Sequence, residues 1–232
     1  MKTVFIVLIS ISGRLAAQNN IAHFSFWKPR TGQEQNFEEG YKKHLTWHKD
    51  NGDKWSWYGW HFVSGPRAGQ FFDATFDHSW VEFDKPVNPV GDRADNALHT
   101  EPFADFMAGM KMMKLSHLSI ENANGLKTRL LRYITLDISD VAQAEKLIDK
   151  LKRNYQSAGI TSFYTFQPVD GVSLNYYIIF IGAKTWEEFG KTSNLQEEIT
   201  AAENELKIKC ISGVLSETLV YREDMSLFPS NQ

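Results

Sequence analysis

Ser79-Trp80-Val81-Glu82-Phe83-Asp84-Lys85 and Thr185-Trp186-Glu187-Glu188-Phe189-Gly190-Lys191 set a hydroxyl residue, Trp, Glu, Phe and Lys in the same order about a hundred residues apart. Each closes a run rich in aromatic and branched residues. Taken as a ruler, the phrase fixes a register between two halves of the chain. At an offset of about 106 residues Trp57 falls on Phe163, Gly65 on Gly171, Phe71 on Tyr177 and Trp80 on Trp186, without a gap across the hairpin. A repeated phrase, a matching hairpin and a matching order of elements together point to a tandem repeat of one supersecondary unit.

Working outward from the first copy, Ile21 to Trp27 has strand composition and stops at Lys28-Pro29, where a ladder donor is lost. From Thr31 a helix is expected, with Phe37, Tyr41, His44, Leu45 and His48 at spacings of three and four and Asn51-Gly52 at its end. Trp55 to Val63 and Gln70 to His78 form a hairpin around the Ser64 to Gly69 turn. The Pro, Gly and Asn content of Pro86 to Asn96 suggests an irregular loop. Thr100-Glu101-Pro102 reads as a helix opening for Phe103, Phe106, Met107 and Met110, and Leu115 to Glu121 as a fourth strand.

The second copy gives a strand over Arg129 to Ile138, a helix capped by Ser139 or Asp140, and strands at Ile160 to Gln167 and Tyr176 to Gly182. A helical stretch from Trp186 and a last strand from Val214 to Arg222 complete it. The expected organisation is a leader over residues 1–17, one unit over 18–122 and a second over 123–232. The leader assignment rests on Lys2, the apolar run Val4 to Ile11 and Leu15-Ala16-Ala17 before Gln18, a signal-peptide pattern. It predicts a periplasmic or extracellular protein, and cleavage would take the net charge from −3 to −5 by removing Lys2 and Arg14.

Two β-α-β-β-α-β units resemble the ferredoxin-like split fold, and in tandem they resemble the dimeric α/β-barrel superfamily. That resemblance implies an α+β fold in which two ferredoxin-like units in one chain pair their sheets into a single α/β barrel with the helices outside. The superfamily includes monooxygenases and haem proteins as well as non-catalytic members, so the fold alone does not select an activity.

Composition narrows the partners. With 25 Lys and Arg against 28 Asp and Glu there is no basic excess for a phosphate backbone, and nucleic acid is not expected. The longest apolar run is far short of the roughly 20 residues that a membrane helix needs. Cys210 is the only cysteine, which excludes an intrachain disulfide, and its apolar setting suits a small buried side chain. Tandem sheets that satisfy each other within a chain fit a monomer as well as a homodimer.

The two copies differ in their chemistry. All seven histidines and six of the seven tryptophans lie in the first half. At an offset near 107, His44 falls on Leu151 and His48 on Tyr155, within the second copy's apolar stripe, so both imidazoles should face their own sheet one helical turn apart. Such a pair can sit at the rim satisfied by carbonyls or water, line a pocket, or ligate a metal or haem iron. The residues between them, Leu45-Thr46-Trp47, lack the Glu of a zinc protease, and neither a serine elbow nor a phosphate loop is present.

Strand alternation places Trp57 and His61 on one face with Trp55, and Tyr58 and Trp60 on the other. The expected site is therefore a pocket for a small apolar or planar molecule lined by His44, His48, Trp57 and His61. Haem is a candidate cofactor, no metal ligand is assigned, and an oxidative or haem-linked activity is implied by resemblance only. The alternative is a non-catalytic binding or assembly protein.

Overall fold

The computed structural model describes residues 19–229, so the expected leader lies outside the described residues. The first half runs β1 (Ile21–Pro29), α1 (Glu34–Asp50), β2 (Tyr58–Phe62), β3 (Phe71–His78), α2 (Trp80–Phe83), α3 (Pro89–His99) and β4 (Ala104–Lys114). The second repeats that order with β5 (Leu130–Ile138), α4 (Val141–Ser157), β6 (Phe163–Asp170), β7 (Tyr176–Ala183), α5 (Trp186–Gly190), α6 (Leu195–Leu206) and β8 (Ile211–Tyr221).

The eight strands are antiparallel throughout and close in the order β1-β3-β2-β8-β5-β7-β6-β4. Each half contributes the order 4-1-3-2 of a ferredoxin-like sheet. Two seams join them, β2 to β8 at Trp60↔Tyr221 and β4 to β6 at Met113↔Gln167.

Alternation sorts the side chains. Ala22, Phe24 and Phe26 of β1, Trp60 and Phe62 of β2, and Phe72 and Ala74 of β3 point inside, where they meet Tyr133, Phe166, Phe180 and Leu219 of the second half. Phe24 lies 5.1 to 5.5 Å from the rings of Phe72, Phe166 and Phe180, at edge and stacked angles that favour aromatic pairs. The Arg67 guanidinium sits 4.2 Å over both Phe62 and Tyr133 and pairs with the fully buried Glu217 carboxylate of β8. Gly65 makes that approach possible: its φ is +82°, and a Cβ there would stand 2.5 Å from Glu217 Cγ. The barrel interior is thus filled by side chains from both halves.

The outward faces are covered by helices. Under α4 and α6 the cover is apolar: Ala144, Leu147, Ile148, Leu151, Tyr155, Ile199 and Ala202 pack on Ile134, Leu136, Ile179 and Ile181. Cys210 joins this core, and burial raises its thiol to about 11. Under α1, Phe37, Tyr41 and Leu45 pack with Trp27 and Phe71.

Several expectations change. Pro86 to Asn96 is not a loop, since Asn88 caps α3 by accepting from Gly91 N–H at 3.1 Å and Pro89 opens its first turn. Thr100 ends that helix instead of starting one, with its hydroxyl bonded to Asn96 O at 2.9 Å. The supposed helix over Phe103 to Met110 falls almost wholly in β4, because β1 offers a ladder from Ala104 onward and β6 a second one from Lys111. Met110 and Met112 therefore enter the barrel core, and Leu115 to Glu121 becomes a 3-10 turn at Ser116–Leu118 with one bridge at Ile120.

The helix expected from Trp186 is two helices, α5 and α6. The repeated phrase builds α2 and α5, short turns fastened by Ser79 N–H to Glu82 at 2.6 Å and by Glu188 N–H to Thr185 at 3.1 Å. Its tryptophans, Trp80 and Trp186, are 52% and 54% exposed. Among the described residues no helix is long and apolar enough to cross a membrane.

Candidate functional site

A cavity of about 350 Å³ opens between the outward face of the first-half sheet and the helices α1 and α3. A second hollow of about 250 Å³ adjoins it, sharing His23, His48, Trp57 and Asp92. The sheet supplies His23, Ser25 and Trp27 from alternate positions of β1 and Asp73 from β3. Helix α1 supplies Tyr41, His44, Leu45 and His48 from one face, and α3 supplies Asp92 and Asn96. Trp57, just before β2, closes one side and Phe106 another.

Helix α3 has no buried residue, and its inner stripe is polar: Asp92, Asp95, Asn96 and His99 recur at three and four. These groups meet α1. His44 Nδ1 lies 2.8 Å from Asp95 Oδ2, and its Nε2 takes a 3.1 Å contact from Asn96 Nδ2. His48 Nδ1 lies 2.8 Å from Asp53 Oδ2. The two Nε2 atoms face each other at 3.1 Å, and Asp92 Oδ1 stands 3.5 Å from each.

Trp47 stacks parallel to His44 at 6.1 Å, and Trp57 lies 4.7 Å from His48, so both imidazoles are held in place. Carboxylates beside both Nδ1 atoms favour ring protons there, which leaves the two Nε2 atoms to share a proton or bind a cation.

The electrostatics divide the site into parts. Burial lowers the His44 pKa below the usual histidine range, against the pull of Asp95 and Asp92. Burial works to raise the Asp53 carboxyl, but His48, Trp55 N–H and the Trp57 indole together hold it below the carboxylate norm. On the cavity floor the balance reverses. Asp73 is pushed up to about 7 by burial, even though it accepts from Trp27 Nε1 at 2.8 Å and is bonded by Ser25 and Tyr41. Burial, then Lys111 and His78, lower His23 to about 4 and leave it a neutral imidazole near pH 7. The floor therefore holds a carboxyl poised between its two states beside a neutral ring, which suits proton transfer to or from a bound molecule.

Of the four residues expected to line a pocket, the structure brings His44, His48 and Trp57 together. His61 shares their face of the sheet but lies outside this cavity, 3.2 Å from Glu38 Oε1 beside Arg222. His23, Asp53, Asp73, Asp92, Asp95 and Asn96 were not anticipated. One signal was available for Asp73: in the 106-residue register it falls on Ile179, a fully buried position of the sister sheet. The α3 residues gave no such signal, because their segment reads as a loop.

A haem, which the family resemblance allows, does not suit the histidine pair. A porphyrin fills the four positions around its iron and leaves only the two opposite ones, whereas these imidazoles are neighbours at 3.1 Å. A ring centred before either Nε2 would meet the other imidazole, Asp92 and Asn96.

No family model and no curated protein sequence matches the chain. Solved structures do match in fold. A "putative monooxygenase" of Lactobacillus acidophilus superposes with a TM-score of 0.62 at 11% identity, covering 91% of this chain and 97% of its own. An anthrone oxidase-like protein gives 0.51 at 13% identity, with 88% and 92% covered. A mutant chlorite dismutase of Candidatus Nitrospira defluvii gives 0.51 at 8% identity, with 87% and 92% covered. These neighbours belong to the dimeric α/β-barrel superfamily, and at such low identity the likeness establishes for this chain the fold and nothing finer.

Proposed function

We propose that this chain is an exported α/β-barrel protein, built from a duplicated ferredoxin-like unit, that binds a small planar or apolar molecule in the first-half cavity and oxidises it. The observation that carries this reading is the cavity itself. Trp27, Trp57 and Phe106 give it aromatic walls, while its ends carry the His44, His48 and Asp92 cluster and the Asp73 carboxyl. Apolar walls with a few convergent polar groups are what a small-molecule site needs. The fold neighbours, a "putative monooxygenase" and an anthrone oxidase-like protein, support an oxidative reading of that cavity.

In this reading the aromatic walls hold a flat ring system and exclude water from it. Asp73, its carboxyl pushed up to about 7, takes a proton from a hydroxyl or an acidic C–H of the substrate, and the neutral His23 orients the substrate's polar edge. Molecular oxygen is the co-substrate that accepts the electrons, one of its atoms entering the product as a carbonyl oxygen and the other leaving as water. Export rests on the leader pattern of residues 1–17.

Anthrone and smaller phenols serve as first probes. Saturable quenching of tryptophan fluorescence in the native chain is expected, weakened at least tenfold in Trp57→Ala with the circular dichroism unchanged, together with oxygen uptake that Asp73→Asn slows. Absence of saturable quenching across the panel would overturn the reading, and binding without oxygen uptake would reduce it to a binding protein.

A further inference from the structure

The Nε2 atoms of His44 and His48 face each other at 3.1 Å, a separation held by a proton or a cation between them. Both rings are about 6% exposed, so bulk water does not take that place. A third donor, Asp92 Oδ1, stands 3.5 Å from both nitrogens, and the three atoms form a nearly equilateral face.

The dimensions of that face suit a metal ion. With ligand bonds of about 2.1 Å, a 3.1 Å separation subtends about 95° at the ion and a 3.5 Å separation about 110°. A point about 2.1 Å from all three atoms exists, roughly 0.8 Å out of their plane. These angles lie between octahedral and tetrahedral values, and the ion's remaining positions are left open.

The surroundings of the face agree. Asp95 and Asp53 sit behind the two imidazoles at 2.8 Å, the outer carboxylates that fix a metal-binding histidine's tautomer and raise its basicity. Two imidazoles with one carboxylate favour a first-row transition cation over magnesium or calcium, which prefer oxygen alone.

We propose that the first-half cavity binds one divalent first-row transition-metal ion through His44 Nε2, His48 Nε2 and an Asp92 carboxylate oxygen. The ion joins α1 to α3 and presents open coordination positions beside the aromatic walls, where water or a polar group of a cavity ligand completes its shell. The inference rests on the same cavity as the proposed function but not on its substrate. Metal binding is read with no organic ligand present, so either reading can fail while the other stands.

The test uses the full chain without a histidine tag, stripped with a chelator and titrated with Co²⁺ in equilibrium dialysis. One Co²⁺ per chain with visible d–d absorption is expected, accompanied by proton release as the histidine pair gives up any shared proton. Asp92→Asn, on the partly exposed α3, keeps its circular dichroism and loses more affinity than Asp53→Asn, which weakens binding by about 10- to 100-fold. Pulsed electron paramagnetic resonance of the Cu²⁺-loaded wild type should show two coordinated imidazoles, a readout that needs no variant to fold. No saturable binding, fewer than two imidazoles, or unchanged affinity in Asp92→Asn would overturn the proposal.

Discussion

The two helix layers of this barrel rest on equivalent sheets yet are built in opposite ways. Beneath α4 and α6 the second half packs Leu151, Tyr155 and Ile199 onto Ile179 and Ile181, apolar on both sides. Beneath α1 and α3 the first half sets His44, His48, Asp92 and Asp95 over Asp73 and leaves a cavity. In the 107-residue register His44 stands where Leu151 does and His48 where Tyr155 does, so the same backbone frame serves as a solid core once and as a hollow once. Polar groups at core positions cost stability unless they are paired, and here every such group of the cluster has a charged or hydrogen-bonding neighbour.

The contrast can be broken most sharply with one chemical change made in both layers. Leu151 is 1% exposed and surrounded by apolar atoms, so Leu151→Ala should cost about 3 to 5 kcal/mol in denaturant unfolding. Leu45 already borders the cavity, and Leu45→Ala should fall at the low end, near 2 kcal/mol. Equal costs would mean that the first layer is packed as tightly as the second.

Acid should act on the first half alone through its histidines. Folding lowers the His23 pKa from 6.5 to about 4, so the folded state binds fewer protons than the unfolded one in that interval. Its contribution is complete above pH 6.5 and is lost as pH falls through about 4, an effect of about 3 kcal/mol. His23→Gln should flatten the stability profile between those pH values, measured by urea unfolding, and an unchanged slope would count against a buried neutral ring.

The smallest effect is expected where the halves agree. Trp80 and Trp186, the shared landmarks of the sequence, are half exposed, and Trp80→Ala should change stability by no more than about 0.5 kcal/mol. A loss several times larger would show that the half-exposed indole is packed against its own half.

What the sequence made legible was local or repeated. The face of α1 was readable because its three-and-four spacing had an apolar twin in α4, and that comparison singled out His44 and His48. The segment from Pro86 to Lys114 was not. Phe103, Phe106, Met107 and Met110 satisfy a helical spacing, but the partner that makes the last three a strand, β1, lies far away in sequence. The error hid α3, and with it Asp92, Asp95 and Asn96. Asp53 escaped for another reason: a carboxylate in a turn signals nothing until the fold brings Trp57 Nε1 within 2.9 Å of it, whereas Asp73 was marked by its match to Ile179 and its partner Trp27 Nε1, at 2.8 Å, was not.

The closure of the ring has a consequence for association. Every strand has a neighbour on each side, but the seams are short: β6 meets β4 only from Lys111 and β2 meets β8 only from Leu219, so among the described residues the stretches from Ala104 to Met110 and from Ile211 to Ser216 keep one side without a ladder partner. Two separate four-stranded units would each have two full edges to protect, whereas joining them in one chain shortens all four. The open stretch of β4 carries Phe106, a wall of the cavity, so a strand added there would border the site.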